Sequence, residues 1–465
     1  MKQNRLVFIA AACALAANVA SAQESLIDIY QRALQNDPQI RQQEAIYLAT
    51  AEVRPQARSF LLPGFSASGN LGSRYSENPF GATFPDGSLV GTGSQFESDT
   101  HGWSVSLNQT LFDWGRFATL KQADKQVAQA EIDYEAAKQD LLVRVANSYF
   151  IVLAAEDTLA AAVAAREAIA RQLEQNQRRF EVGLIAITDV QESQAGYDGA
   201  VATEIESQRI LATARESLRE IVGELVTDLA TPIEDLPLLN PDPADADAWV
   251  RTAMEQNLSL ISSRLAADIA EDDITISRSA RLPTLSLSAG YTDSYTDQVA
   301  TIFFTDPLTG GSSSRRSPTQ SAPSGYNWTI NLQVPLFTGG LNSSRIQQSV
   351  YRHRAARESL ELVARQTERQ TRDAYLGVIS EISRVEALRR SVESNQTALR
   401  AVQAGFEVGT RTTVDVLISQ ESLRQAQTSY SRARYDYIIN VLNLKQAAGT
   451  LSVQDLEQVD GWLEQ

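Results

Sequence analysis

Two carboxylates, Asp189 and Asp415, stand at matching places in this sequence, each six residues past a glycine, Gly183 or Gly409, that closes a long proline-free run. Acids in the first turn of a helix favour the positive end of its dipole. Thr188 with Gln191, and Thr412 with Asp415, have the spacing of a capping box, and the glycines suit left-handed helix ends, so the structural reading is a pair of helix–turn–helix tips. A chemical reading needs the carboxylates to converge. Around a threefold axis, three copies of Asp415 would repel one another, raise at least one apparent pKa and attract cations. Other chemistry is thin: Cys13, His101 and His353 are the only Cys and His and lie far apart in sequence, so zinc, haem and nucleophile–base triads lack their usual side chains, and no metal or cofactor is expected. With 41 basic against 57 acidic residues and a net charge of −16, the chain is also a poor nucleic-acid binder.

The elements that must position these tips are long. Residues 117 to 182 contain no proline and carry an apolar stripe at Tyr134, Ala137, Leu141, Val145, Tyr149 and Val152, which predicts a helix about 100 Å long. Residues 341 to 408 match it. Shorter flanking helices, Glu24 to Ala57 and Thr188 to Glu224, come to about 50 and 57 Å at the same rise, so that stacked end to end they match one long helix. A structural coiled coil would use the same composition. Phe180-Glu-Val-Gly183 with Asp189-Val190 recurs 226 residues later as Phe406-Glu-Val-Gly409 with Asp415-Val416; Leu111-Phe112 and Gly115 return at about 225 and Leu62-Pro63 at 220. The chain therefore reads as a signal segment, 1–22, and two repeats. The first, 23–235, holds a helix, strands near 64–73 and 103–112, the long helix 117–182, tip 183–187 and helix 188–224. The second, 236–465, holds a helix, strands near 284–292 and 326–336, the long helix 341–408, tip 409–411, helix 412–448 and a tail. A proline-bearing stretch, about 225–245, links the two.

Lys2, Arg5, the apolar run Leu6–Ala17 and Ala20-Ser21-Ala22 form a secretory signal, whose removal leaves a chain without cysteine and takes the net charge from −16 to −18. Lipoprotein acylation at Cys13 is the alternative. No later stretch is a continuous apolar run of membrane-spanning length. The strands, in contrast, alternate: Trp103, Val105 and Leu107 against Ser104, Ser106 and Asn108, and Tyr326, Trp328 and Ile330 against Asn327, Thr329 and Asn331. Trp103 with Phe112, and Trp328 with Phe337, lie nine residues apart, a distance that spans about 21 Å at a 45° tilt, close to the apolar band of an outer-membrane barrel. These aromatics, with Trp114 as an interfacial anchor, are the candidate membrane girdle in contact with outer-membrane lipid. A half-buried sheet would alternate in the same way. The segments 74–101 and 293–325 read as external loops. Four strands cannot close a barrel, so chains must share one; two chains would give eight strands and a filled interior, three would give twelve and a conducting lumen. The economical choice is a homotrimer.

Ala404-Gly-Phe-Glu-Val-Gly-Thr-Arg-Thr-Thr-Val-Asp-Val-Leu417 and Ala433-Arg-Tyr-Asp-Tyr-Ile-Ile-Asn-Val-Leu-Asn-Leu-Lys-Gln-Ala-Ala-Gly-Thr-Leu451 closely resemble TolC-type outer-membrane efflux channels, and Val182-Gly-Leu-Ile-Ala-Ile-Thr-Asp-Val190 resembles the matching first tip. The resemblance covers essentially the whole mature chain. It implies a mainly α fold with a β-barrel part: a trimer with four strands per chain in a twelve-stranded transmembrane barrel continuous with a periplasmic α-helical tunnel, and a belt formed by the linker and tail. It further implies a non-enzymatic exit duct for a tripartite efflux pump or type I secretion system, docking a periplasmic adaptor (membrane fusion) protein through tips at Gly183, Leu184, Gly409 and Thr410. The inner-membrane partner would be a transporter of RND, ABC or MFS type. By resemblance Asp415 lies in an acidic ring at the periplasmic constriction, but Ile418 stands where a second acid is expected. Arg411 matches a gate arginine, Thr188 and Asp189 its receiving side, and Phe406 replaces a gate tyrosine. Closure is then expected to lean on Arg411 with Asp189 and Thr188, and on apolar contacts of Phe406 and Ile418. An outer-membrane structural or adhesive trimer without transport is the main rival reading, and a periplasmic carboxylate-dependent hydrolase a weaker one.

Overall fold

The computed structural model describes residues 23–79, 93–233, 236–305 and 309–463, so the signal segment and Cys13 lie outside the described residues. In chain order the elements are α1 (Leu26–Asn36), α2 (Pro38–Ala51), α3 (Val53–Ser59), β1 (Gly64–Asn78), β2 (Gly93–Phe112), α4 (Trp114–Glu181), α5 (Ile187–Val222), α6 (Ala246–Gln256) and α7 (Leu258–Ser279). Then follow β3 (Thr284–Thr305), β4 (Ser312–Ser321), β5 (Ser324–Gln333), α8 (Leu341–Glu407), α9 (Thr413–Ala448) and α10 (Val453–Asp460). The chain divides into two compact units: a helical unit of residues up to 49, 128–266 and from 357, and a sheet unit of 50–127 and 267–356.

The expected single helix from Glu24 to Ala57 is broken. Asp37 precedes Pro38, whose ring disfavours the α region for its predecessor, and Asp37 sits at ψ 120. Its nearly enclosed carboxylate meets Arg144 and accepts the Gln39 N–H at 3.0 Å. In the second repeat Asn257 breaks the chain at the same ψ without a proline, its Oδ1 accepting from Leu260 N at 3.0 Å and its Nδ2 donating to Ala447 O at 2.9 Å. Two unlike residues thus make the same bend.

The core of the helical unit runs through Leu26 and Ile29 of α1, Leu141, Val145 and Phe150 of α4, Leu218 of α5, Ile438 and Leu442 of α9 and Leu456 of α10. Each such side chain contributes about 1.5–3 kcal/mol on full burial. The buried Tyr149 hydroxyl donates to Ala230 O at 2.7 Å and Glu24 O at 3.2 Å, which ties α4 to the linker and to the start of the described chain. Burial pushes that phenol's pKa up. The linker and the chain ends also pair, Glu24 with Leu229 and Pro232 with Leu463, and the tail contains a helix, α10. Helix α4 includes an 18-residue window apolar enough to cross a membrane by composition, which narrows the sequence expectation; its residues Leu141, Val145, Tyr149 and Leu153 belong to this core.

The sheet unit has five strands rather than four. β1 pairs with β2, β2 with β3, and β3 with both β4 and β5, all antiparallel. β4 covers Thr296–Thr305 of β3 and β5 covers Thr284–Asp293 in one unbroken register, so they form a single fourth column interrupted at Ala322 and Pro323. Much of each segment expected as loop is strand: Arg74–Asn78 pairs with Ser94–Ser98, and Thr296–Thr305 with β4, while 80–92 and 306–308 lie outside the described residues. The apolar–polar alternation fades there, but backbone groups still need partners and the ladder supplies them. β5 stops at Gln333 instead of 336 because Pro335 has no N–H to give, which leaves Phe337 beyond the strand and 88% exposed. Pro318 is accommodated inside β4 because β4 lies at a sheet edge.

Candidate functional site

The two long helices of the helical unit end alike. In the first, Gly183 takes φ 77 and its N–H donates to Phe180 O at 2.9 Å, while Leu184 N donates to Arg179 O at 2.9 Å. In the second, Gly409 takes φ 80, with Gly409 N to Phe406 O at 3.1 Å and Thr410 N to Gly405 O at 2.8 Å. This paired bonding satisfies carbonyls that a helix end would leave open, and it requires the left-handed residue that glycine supplies. Around both turns apolar side chains stand in the open: Val182, Leu184 and Ile187 at the first tip, Val408, Val414 and Ile418 at the second.

The helices that leave the tips start differently. Thr412 caps α9 in a reciprocal box: Asp415 N donates to Thr412 Oγ1 at 3.2 Å, and Thr412 N donates to Asp415 Oδ2 at 2.9 Å. The bond from Thr412 N, then one from Thr412 Oγ1 to Asp415 Oδ2 at 3.0 Å, and the Arg411 charge hold the Asp415 carboxyl below its ordinary range. α5, in contrast, starts on Ala186, which has no side-chain acceptor, and only the return arm from Ala186 N to Asp189 Oδ2 is made, at 3.3 Å. Thr188 is therefore not the cap that its spacing to Gln191 suggested. It lies inside the first turn, exposed, because the turn is counted from Asp189 as the third helical residue.

Contacts inside the helical unit bring the two tips together. The Arg179 guanidinium sits over the Phe406 ring at 5.3 Å, so Phe406 meets a cation of the first tip's helix. Gly405 lets the second tip fold back: a Cβ there would lie 2.8 Å from Arg411 Cγ. Leu417 packs against Gly196 of α5, where an added Cβ would meet it at 3.0 Å. Within one chain no ion pair joins Arg411 to Asp189 or any other acid among the described residues; Arg411 is exposed and Asp189 half-buried. Deeper lies a polar knot that the sequence reading missed. Asn176 of α4, with 0% exposure, donates to Ser193 Oγ at 2.7 Å and Thr413 Oγ1 at 3.3 Å, and accepts from Gln172 at 3.1 Å; Ser193 and Thr413 are equally enclosed. Ser193 in turn donates to Asp189 O at 2.9 Å. A signal was present: Asn176 falls three residues after Leu173 on the buried face, where an asparagine usually fixes register.

The girdle candidates lie in or beside the sheet unit. Trp103 and Tyr291 meet at 5.3 Å between ring centres, Phe112 pairs with Leu285, Trp328 with Ala289, and Trp114 opens α4. Pairing puts Phe65, Trp103, Tyr291 and Trp328 on one face and Ser66, Ser104, Thr292 and Asn327 on the other. Both faces of β1 and β5 are exposed in the single chain, and Ser66–Ser106 and Ser68–Ser104 hydroxyl bonds run along the polar face at 2.6 and 2.9 Å. Among the described residues no group of His, Cys, Asp and Glu could hold a metal ion.

A family model described as outer membrane efflux protein matches residues 29–224 and 249–450. The outer membrane protein TolC of Vibrio cholerae serotype O1 is 35% identical over 467 residues, covering 100% of this chain and 99% of that protein. The alkaline protease secretion protein AprF of Pseudomonas aeruginosa is 30% identical, covering 93% of this chain and 86% of that one. Among solved structures, the Campylobacter jejuni CmeC outer membrane channel superposes with a TM-score of 0.72 at 16% identity, over 95% of this chain and 90% of that one, a likeness of fold.

Proposed function

The chain belongs to the outer membrane efflux protein family, and we propose from that premise that three copies close one twelve-column barrel and form an exit duct gated at the helical tips. The protein is an outer-membrane exit duct for efflux or type I secretion, of a family that forms channels rather than enzymes. The observation that carries the trimer is the sheet itself. Four columns have a face bearing Phe65, Trp103, Tyr291 and Trp328, a face rich in Ser, Thr and Asn whose only described charges are Arg74 and Arg315, and two unpaired edges, β1 at one side and the β4–β5 column at the other. In lipid an open edge leaves backbone groups unsatisfied at several kcal/mol each, so edge must meet edge, and three chains give a lumen where two would give a filled barrel.

At the tips, the exposed apolar turns around Gly183, Leu184, Gly409 and Thr410 suit docking to a periplasmic adaptor, which would couple the duct to an inner-membrane transporter of RND, ABC or MFS type. Three Asp415 carboxylates would face the axis at the constriction, backed by Ile418. Their capping bonds favour the charged form, opposing the mutual repulsion that would neutralise one of them. Since Arg411 makes no ion pair within its own chain among the described residues, the closure we propose sets it against Asp189 and Thr188 of a neighbouring copy, with Phe406 held by Arg179. Planar-bilayer recording tests this: the wild type is expected to conduct weakly at rest and Arg411→Ser several-fold more. Equal conductance would remove Arg411 from the gate, and no conductance from either would remove the duct.

A further inference from the structure

Charge is sorted between the two faces of the sheet. Every acid on the described strands, Glu77, Glu97, Asp99, Asp293 and Asp297, lies on the face that carries Phe65, Trp103, Tyr291 and Trp328. On the opposite face, among the described residues, the only charged side chains are Arg74 and Arg315. Arg74 shares a row with Ser98, Gln298 and Thr319, and Arg315 a row with Ile302, Ser94 and Asn78. Both rows lie toward the β1–β2 and β3–β4 connections, away from the helices. Both arginines are exposed, and neither forms an ion pair with a described residue. The neighbouring Arg316 points to the other face, because it pairs with Thr301 where Arg315 pairs with Ile302.

This sorting runs against the chain's net charge of −16. A guanidinium keeps its proton at any physiological pH and binds phosphate or carboxylate oxygens through a planar fork. Among the described residues of that face, Ser, Thr, Asn and Gln with a few apolar side chains surround the two guanidiniums and no acid competes for them, so the local field attracts anions. We propose that in the trimer Arg74 and Arg315 make a collar of six guanidiniums inside the outer end of the duct, a binding and ion-selecting site for multiply phosphorylated or carboxylated solutes. The collar is opposite in sign to the Asp415 tips. The inference rests on the trimeric-duct reading, with the polar face turned inward. A cation entering from outside then meets repulsion before it reaches the uncharged barrel wall, whereas an anionic solute leaving through the duct is drawn to the exit.

The test uses the full-length protein inserted in a planar bilayer, with inositol hexakisphosphate added on the barrel side. Wild-type current should be blocked, Arg74→Ser with Arg315→Ser should weaken block roughly tenfold or more, and Arg74→Lys with Arg315→Lys should retain most of it. Arg316→Ser, one residue away on the other face, should block like the wild type. In a KCl gradient the reversal potential of the double Ser variant should move toward cation preference. A conducting channel that the probe does not block, or blocks equally with and without the two arginines, overturns the collar and leaves the duct standing. Loss of block in Arg316→Ser equal to that in the double variant overturns the assignment of faces. Absence of a conducting trimer defeats the duct reading instead.

Discussion

At the first tip α5 starts on Ala186, which offers its helix no side chain, and Ile187 behind it is 49% exposed; at the second, α9 starts on Thr412, boxed with Asp415, and Thr413 behind it is fully enclosed. The turns before them are the same, left-handed glycine and paired amide bonds included. What separates the tips is the side chains 226 residues apart. Thr413 corresponds to Ile187, Asn176 to Val402 and Arg179 to Gly405, so the polar knot forms only where α9 enters between α4 and α5. A duplicated backbone therefore carries two mechanical roles. The first tip has its two helices pinned by the buried bond from Asn176 to Ser193 but keeps a single capping arm, whereas the second has a complete capping box and joins the knot through Thr413 alone.

The largest break in that comparison should come from Asn176→Ala, which strands the Ser193 and Thr413 hydroxyls without their donor. It is expected to lower the opening free energy of the tip by about 1–3 kcal/mol, read as faster hydrogen exchange in the first turns of α5 and α9. Asn176→Leu combined with Ser193→Ala and Thr413→Val, which removes every member of the knot, should cost far less. Loss of equal size in both would mean that packing volume, not hydrogen bonding, holds the root.

A smaller effect sharpens the contrast of caps. Thr412→Ala should cost about 1 kcal/mol at the start of α9, while Thr188→Ala stays within about 0.5 kcal/mol because Thr188 caps nothing. The Asp415 carboxyl is held below its ordinary range, so its part in the box is present above the unfolded value and is lost as pH falls through the folded one. The penalty of Thr412→Ala should accordingly shrink in acid below the ordinary carboxylate range and stay constant from there through neutral pH, as followed by local exchange or thermal melting.

Much of this was legible in the chain. Period-two alternation located the helix-proximal part of four sheet columns, and the glycines located both tips. What escaped did so for physical reasons. Beyond the apolar band the strands carry Glu97, Asp99 and Asp297, so hydropathy stops reporting a ladder that backbone bonding continues. The segment 293–325 read as a loop, yet β4 within it, Pro318 included, pairs along β3 at the sheet's edge. The bend at Asp37 could have been read from Pro38, while its twin at Asn257 has no proline to announce it. At the first tip, capping spacing pointed to Thr188, and the bond from Ala186 N to Asp189 puts the helix start two residues earlier, on a residue with no capping side chain. Asn176 is polar in a polar-rich helix, and its spacing from Leu173 is the one local hint of its burial.

The duct reading presupposes that the sheet's two open edges meet in a shared barrel. The most direct test is the mass of the detergent-extracted protein after subtraction of bound detergent. Three chains per particle is the predicted result; a stable monomer, or a dimer of eight columns, would contradict the shared barrel and the duct built on it.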